Sequence, residues 1–152
     1  MVLLSPVMFA QRPGQFPPDG PGKDLFENVC SLCHASSAVA GKQWRRDDWD
    51  AKVTEMLQEE PDVTSRERAA IVDYLAAHFR PGGPIYINYA TAKDLAALLE
   101  IQAKDAEILV RRREEQGAFK AAEDVLGIPG LASEAAAKVN ATRDRLDFSR
   151  DE

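Results

Sequence analysis

FENVCSLCHASS, residues 26 to 37, holds both cysteines of the chain, and a histidine follows the second one directly. Cys30 and Cys33 stand at C-x-x-C spacing, and His34 is one of only two histidines. Two thiols are too few for a disulfide framework; at this spacing they point to metal, redox or haem chemistry. A zinc site needs a fourth ligand, and the remaining histidine is His78, with no second cysteine pair to complete the set. A thioredoxin-like dithiol sits at a strand-to-helix turn, and no strand pattern is present. Covalent haem attachment fits the mechanics. Two thiols on a helical turn can each form a thioether to one porphyrin edge, and the adjacent His34 can aim its imidazole at the iron.

Such an iron needs a second axial ligand or an open site. The methionines are Met1, Met8 and Met56, and only Met56 falls within a folded segment. It shares an apolar helix face with Trp49 and Val53 and is the expected iron ligand beside His34; core filling is the plain alternative. His78 is the second candidate, against a plainer role as a cation near a helix C-terminus.

Outward from this stretch, the chain has 152 residues, 45% apolar and 29% charged, with a net charge of −6. That suits one ordinary domain or two small ones. No apolar run approaches the roughly 20 residues that span a bilayer. The charge gives no global argument for nucleic acid or for an anionic membrane surface. At the start, Val2 to Ala10 looks like the apolar half of a secretory signal, although no basic segment precedes it. Gln11 to Gly22 reads as a flexible lead-in without a core. Residues 1–21 are thus expected to be a signal remnant and lead-in, and the protein to be exported, in the periplasm or another extracytoplasmic space.

Periodicity divides the rest into helices. Residues 23 to 35 carry Leu25, Phe26 and Val29. A second helix is expected from Asp47 or Asp48 to Glu60, where Pro61 stops it. The third opens at Thr64 with Glu67 as its capping partner and carries Ile71, Val72, Leu75 and Phe79 on one face. RPGGP, residues 80 to 84, breaks the chain. Further helices are expected over 91–99, 103–116, 121–126 and 133 to about 147, with the final residues, DFSRDE and the one before them, frayed. With no alternating strand, the fold class is all-α, divided into a domain at 22–80, a linker at 81–84 and a domain at 85–147.

The first block resembles a small class I c-type cytochrome. Gly22, Phe26 and Cys30 reproduce the G-x-x-x-F-x-x-x-C lead into the haem motif, and IVDYLAAHF resembles the C-terminal helix of that family. The resemblance implies three helices around one haem, with Tyr74 packing across the first helix near Gly22 and Phe26. QWRRDDWDAKVTEML followed by VTSRERAAIVDYLAAHF is similar to the compact cytochromes that accompany periplasmic quinoprotein dehydrogenases, in which the middle-helix methionine binds iron. Trp44 and Trp49 are expected to pack on the macrocycle, ordinary core packing being the alternative. The implied cofactor is one covalently attached haem c, bound by Cys30, Cys33, His34 and Met56.

The second block resembles the paired helix-hairpin-helix domain of competence DNA receptors over residues 85 to 139. Asn88, Thr91 and Ala92 match its opening, and RREEQGAFKAAEDVL matches the segment between hairpins. That family grips DNA backbone through glycine-rich hairpins whose bare amides approach phosphates. Here Leu99, Glu100, Ile101 and Gln102 replace the first hairpin's proline–glycine–apolar–glycine, and Ala132 replaces the last glycine of the second. From Pro81 onward ten Lys/Arg face thirteen Asp/Glu, and Arg111 to Arg113 are the one basic cluster. These departures argue against DNA and for protein docking.

The expected function is that of an exported monohaem cytochrome that carries single electrons and is not an enzyme. Its second domain would dock it to a redox partner: a periplasmic dehydrogenase, an oxidase, or another membrane-associated electron-transfer complex. The alternatives are a DNA-associated envelope cytochrome and a haem-based ligand sensor, the latter requiring a Met56 that leaves easily.

Overall fold

The computed structural model describes residues 15–58, 60 and 62–150, so the signal-like stretch Val2 to Ala10, Met1, Met8 and the proposed stop at Pro61 lie outside the described residues. In the first block, α1 spans Lys23–Cys30, α2 Arg46–Met56 and α3 Ser65–His78, with a 3₁₀ turn over Ser36–Val39. α3 begins where its capping chemistry dictates. Thr64 Oγ1 accepts from the Glu67 amide at 3.2 Å, and the Glu67 carboxylate accepts from the Thr64 amide at 2.8 Å.

α1 and α2 are shorter than their sequence patterns. The Ser31 hydroxyl donates to the Glu27 carbonyl, a local bond that competes with the helical ladder where α1 ends. α2 stops at Met56, short of Glu60. Its start lies one or two residues early, because the carboxylate of Asp48 caps from inside the first turn, accepting from the Arg45 amide at 3.3 Å.

α1 and α2 both pack on α3. Phe26, Trp49, Val53, Ile71, Val72, Tyr74, Leu75 and Phe79 are buried together there. Phe16 and Tyr86 join the same cluster, which corrects two expectations. From residue 15 the lead-in has a fixed place: Phe16 is 5% exposed and stacks on Tyr89 at 4.2 Å. The first core also borrows Tyr86 from beyond the proline–glycine break.

In the second block, α4 spans Ala92–Leu99, α5 Ala103–Gln116, α6 Ala122–Leu126 and α7 Ser133–Ala141, and a 3₁₀ turn follows at Arg143–Arg145. Gly117, at φ 91°, ends α5 in a conformation that favours glycine. The core here is Ile85, Ile87, Leu95, Leu99, Leu109, Val125 and Val139 with their neighbours. The fold is mostly helical but not wholly so. β1 (Ile85–Tyr86) pairs in parallel with β2 (Leu146–Asp147), Ile85 opposite Leu146. Two residues are too few to show an alternating pattern. The chain end is therefore anchored up to Ser149, whose carbonyl accepts from Asn88 Nδ2 at 3.2 Å, whereas the sequence pattern implies fraying. The seventh helix ends at Ala141 rather than near 147.

The connector 81–84 is pinned: Gly83 O accepts from Gln43 Nε2 at 3.2 Å and from Arg145 Nε at 3.1 Å. Among the described residues no helix is long and apolar enough to cross a membrane.

Candidate thiol–histidine site and hairpin face

Cys30 is the last residue of α1 and half-buried against the first core; Cys33 and His34, in the turn that follows, are exposed. Both thiols are free. Burial pushes the Cys30 thiol up to about 11, and the neighbouring Cys33 adds to the rise. A redox dithiol attacks through a thiol whose pKa is lowered, and burial shifts Cys30 the other way, so Cys30 is not placed as such a nucleophile.

Leu32, between the cysteines, is 75% exposed, and Met56, at the end of α2, is 53% exposed. They are the exposed large hydrophobic side chains among the described residues. One exposed apolar residue needs no explanation. Here, though, one belongs to the motif and the other is its expected axial partner. Met56 is therefore not core filling.

The expected cofactor residues divide into two groups. Cys30, Trp44 and Trp49 lie in or against one core cluster, while Cys33, His34 and Met56 lie outside it. Trp49 is 2% exposed, donates its indole N–H to Phe79 O at 2.9 Å, and sits 4.6 Å from the Trp44 ring. It has no free ring face for a macrocycle, and core packing accounts for it. Trp44 is half-buried.

The runner-up ligand, His78, is built into packing: its ring lies 4.7 Å from that of Tyr74, and a Cβ added to Gly20 would come within 2.6 Å of its Nε2. Burial, with Arg80 nearby, lowers its pKa and favours the neutral ring, contrary to a role as a C-terminal cation.

Among the described residues no three His, Cys, Asp or Glu side chains converge as a metal-ion cage. A haem would ask for a different set: thiols for attachment and nitrogen or sulfur donors for the iron. The donor types fit such a group: two free thiols one turn apart, an adjacent exposed imidazole, and an uncovered thioether on α2, the next helix along the chain.

The second block joins its helices by two turns. In the first, Glu100 ends α4 at φ 55° and ψ 40°, a left-handed conformation that favours glycine. Gln102 N-caps α5 with an extended backbone and has no such need. In the second turn Gly130 is left-handed at φ 86°. The two turns are tied together. Asp105, 2% exposed, accepts the Ala132 amide on Oδ1 at 3.1 Å, and Lys138 pairs with Glu100 at 3.2 Å. The basic cluster is two residues rather than three. Arg113 is half-buried and donates to Ile87 O at 2.7 Å, whereas Arg111 and Arg112 line an open groove with Ile108, Glu115, Ile128 and Pro129.

Residues 82–142 match the family model for the helix-hairpin-helix motif. The match takes in α4 to α7 and both turns. No curated protein and no solved structure matches the chain. The matched segment begins at Gly82 and does not reach residues 22–80, whose resemblance to a cytochrome rests on their sequence motifs alone. Asp105 and Gln43 gave no sequence signal beyond being polar; only the fold reveals them as ties between segments. Asn88 was legible as part of the opening motif, and its side chain holds Phe119 N and Phe119 O at 2.8 and 2.9 Å.

Proposed function

We propose that the chain is a monohaem c-type cytochrome that carries single electrons, with a helix-hairpin-helix block that docks it to a redox partner. The carrying observation is Cys30-x-x-Cys33-His34 at the open end of α1, with the apolar side chains of Leu32 and Met56 left uncovered. Cys30 and Cys33 would anchor the group through thioethers, and His34 would supply the proximal nitrogen. Met56 would offer its sulfur from α2, and Leu32 would lend apolar cover that excludes water. α3 serves as the common floor on which α1 and α2 both pack. A bound haem supplies an iron that takes up and gives back one electron. If His34 and Met56 both bind the iron, no position would be left for a substrate, which would suit a carrier rather than an enzyme. Export to the periplasm belongs to this proposal, since c-type attachment and a signal-like start point the same way.

A second reading is a DNA-associated cytochrome, favoured by the helix-hairpin-helix match, a motif typical of nucleic-acid binding. Against it, the Ala132 amide is taken by Asp105 and Lys138 by Glu100, groups that phosphate contact would need free. Arg113 is engaged internally as well.

The experiment is co-expression of the full chain with a c-type attachment system, followed by a spectroscopic redox titration. The proposal expects a one-electron couple and a low-spin ferric spectrum whose sulfur–iron charge-transfer band vanishes in Met56→Ala. A chain that takes no haem overturns it. Duplex DNA held tightly at low salt and released steeply as salt rises would move the second reading to the front.

A further inference from the structure

Three consecutive residues of the segment between His34 and α2 each grip a different part of the molecule. Lys42 Nζ pairs with Asp94, in the first turn of α4, at 3.1 Å. Gln43 Nε2 donates to Gly83 O at 3.2 Å and to Pro84 O at 3.0 Å, while its Oε1 accepts from Arg145 Nη2 at 3.1 Å. Trp44 N donates to Phe79 O at 3.2 Å, beyond the end of α3. Gly41 lies so close to α4 that an added Cβ would fall 2.2 Å from the Asp94 carboxylate. The polar ties of Gln43 are part-buried, where a hydrogen bond left unmade costs more than at the surface.

This strap borders the thiol–histidine segment. Val39 and Trp44, within it, pack against the same core cluster as Cys30. Two of its three grips, at Lys42 and Gln43, are made by the connector and the helix-hairpin-helix block.

We propose that the helix-hairpin-helix block is a positioning element for the thiol–histidine site. Asp94 and Arg145 hold Lys42 and Gln43, and through them the strap that keeps Cys30 against the core. A partner docked on that block then sits in a fixed relation to the site. The inference rests on reading Cys30 to His34 as the functional site.

The test uses the full chain produced without a haem-attachment system and follows alkylation of each cysteine by mass spectrometry of its peptide. Arg145→Ala and Gln43→Ala each remove part of the clamp. Ile128→Val, a mild core change remote in sequence from the strap, serves as a control that lowers the melting temperature by a similar amount, about 3 °C. Cys33, already exposed, is the internal reference.

The expected result is a several-fold faster reaction at Cys30 in both clamp variants, no change at Cys33, and no change at Cys30 in Ile128→Val. The double variant should be faster than either single one but by less than the product of the two effects, because the Gln43–Arg145 bond is shared while each side chain also holds Gly83 O. An unchanged Cys30 rate in the clamp variants, or an equal rise in the control, overturns the proposal. Because no haem is involved, that failure is distinct from failure of the cytochrome reading, which shows as a chain that takes up no haem.

Discussion

The rings of Phe26 and Tyr74 stack with centroids 5.2 Å apart where α1 crosses α3. One turn earlier, Gly22 makes that crossing possible. Its φ of 92° is left-handed, and an added Cβ would lie 2.7 Å from Ala70 O and 3.1 Å from Tyr74 Cβ. The Tyr74 hydroxyl then reaches back to Pro18 O at 2.7 Å and fastens the lead-in. One aromatic thus organises three segments, and Cys30 lies a single turn beyond Phe26.

Gly22→Ala is expected to destabilise the chain by more than about 2 kcal/mol, because a left-handed alanine adds backbone strain to a contact with unyielding main chain. Tyr74→Phe should cost about 1 kcal/mol, the value of one hydrogen bond. Denaturant unfolding of the two variants measures both losses. Equal losses would mean that the hydroxyl matters as much as the crossing.

Much of this was legible in the sequence. The cytochrome resemblance implies the crossing of Tyr74 over Gly22 and Phe26, and Thr64 with Glu67 marks the start of α3 to the residue. What stayed hidden depends on contacts distant along the chain. Phe16 lies in a Pro/Gly-rich stretch with no periodicity, and its burial comes from Phe79, Tyr86 and Tyr89. Leu146 and Asp147 become a strand only because Ile85 and Tyr86 are there to pair with them. Trp49 was expected at a cofactor, yet its indole N–H is satisfied by Phe79 O, a partner that spacing within α2 cannot disclose.

At the hairpin face, the two missing glycines of the first turn are not equivalent. Glu100 occupies a left-handed position and Gln102 does not. Glu100→Gly should therefore stabilise the chain by up to about 1 kcal/mol, the relieved strain exceeding the loss of an exposed pair with Lys138. Gln102→Gly should be neutral or destabilising. Thermal melts of the two single variants decide this, and a loss of stability in Glu100→Gly would contradict the strain argument.

For the arginines, Arg113→Ala should lower stability by about 1–3 kcal/mol, since it removes the donor to a part-buried carbonyl at Ile87. Arg111→Ala and Arg112→Ala should stay within about 0.5 kcal/mol, as surface changes do. If the chain binds duplex DNA feebly at low salt, those two variants should abolish the residue of binding. Titration of labelled duplex over a salt series, run beside the melts, separates the roles.

His78 gives a dependence on pH. Burial lowers its folded pKa below the ordinary value of 6.5, so the unfolded chain takes the proton first as pH falls. Stability from this group is intact above 6.5 and is lost from there down to the lower folded value. Urea midpoints measured from pH 7.5 to 5 should fall across that window, and His78→Gln should flatten the decline. A midpoint that rises as pH falls through the window would show the opposite sign.

The central claim is that Cys30, Cys33 and His34 hold a haem, and intact mass under denaturing conditions tests it most directly. The full chain, co-expressed with a c-type attachment system, is predicted to run as a single species heavier by one haem, with no thiol left to alkylate. Cys30→Ser/Cys33→Ser should return it to the bare mass. A chain of unmodified mass that still alkylates at both cysteines would contradict the account.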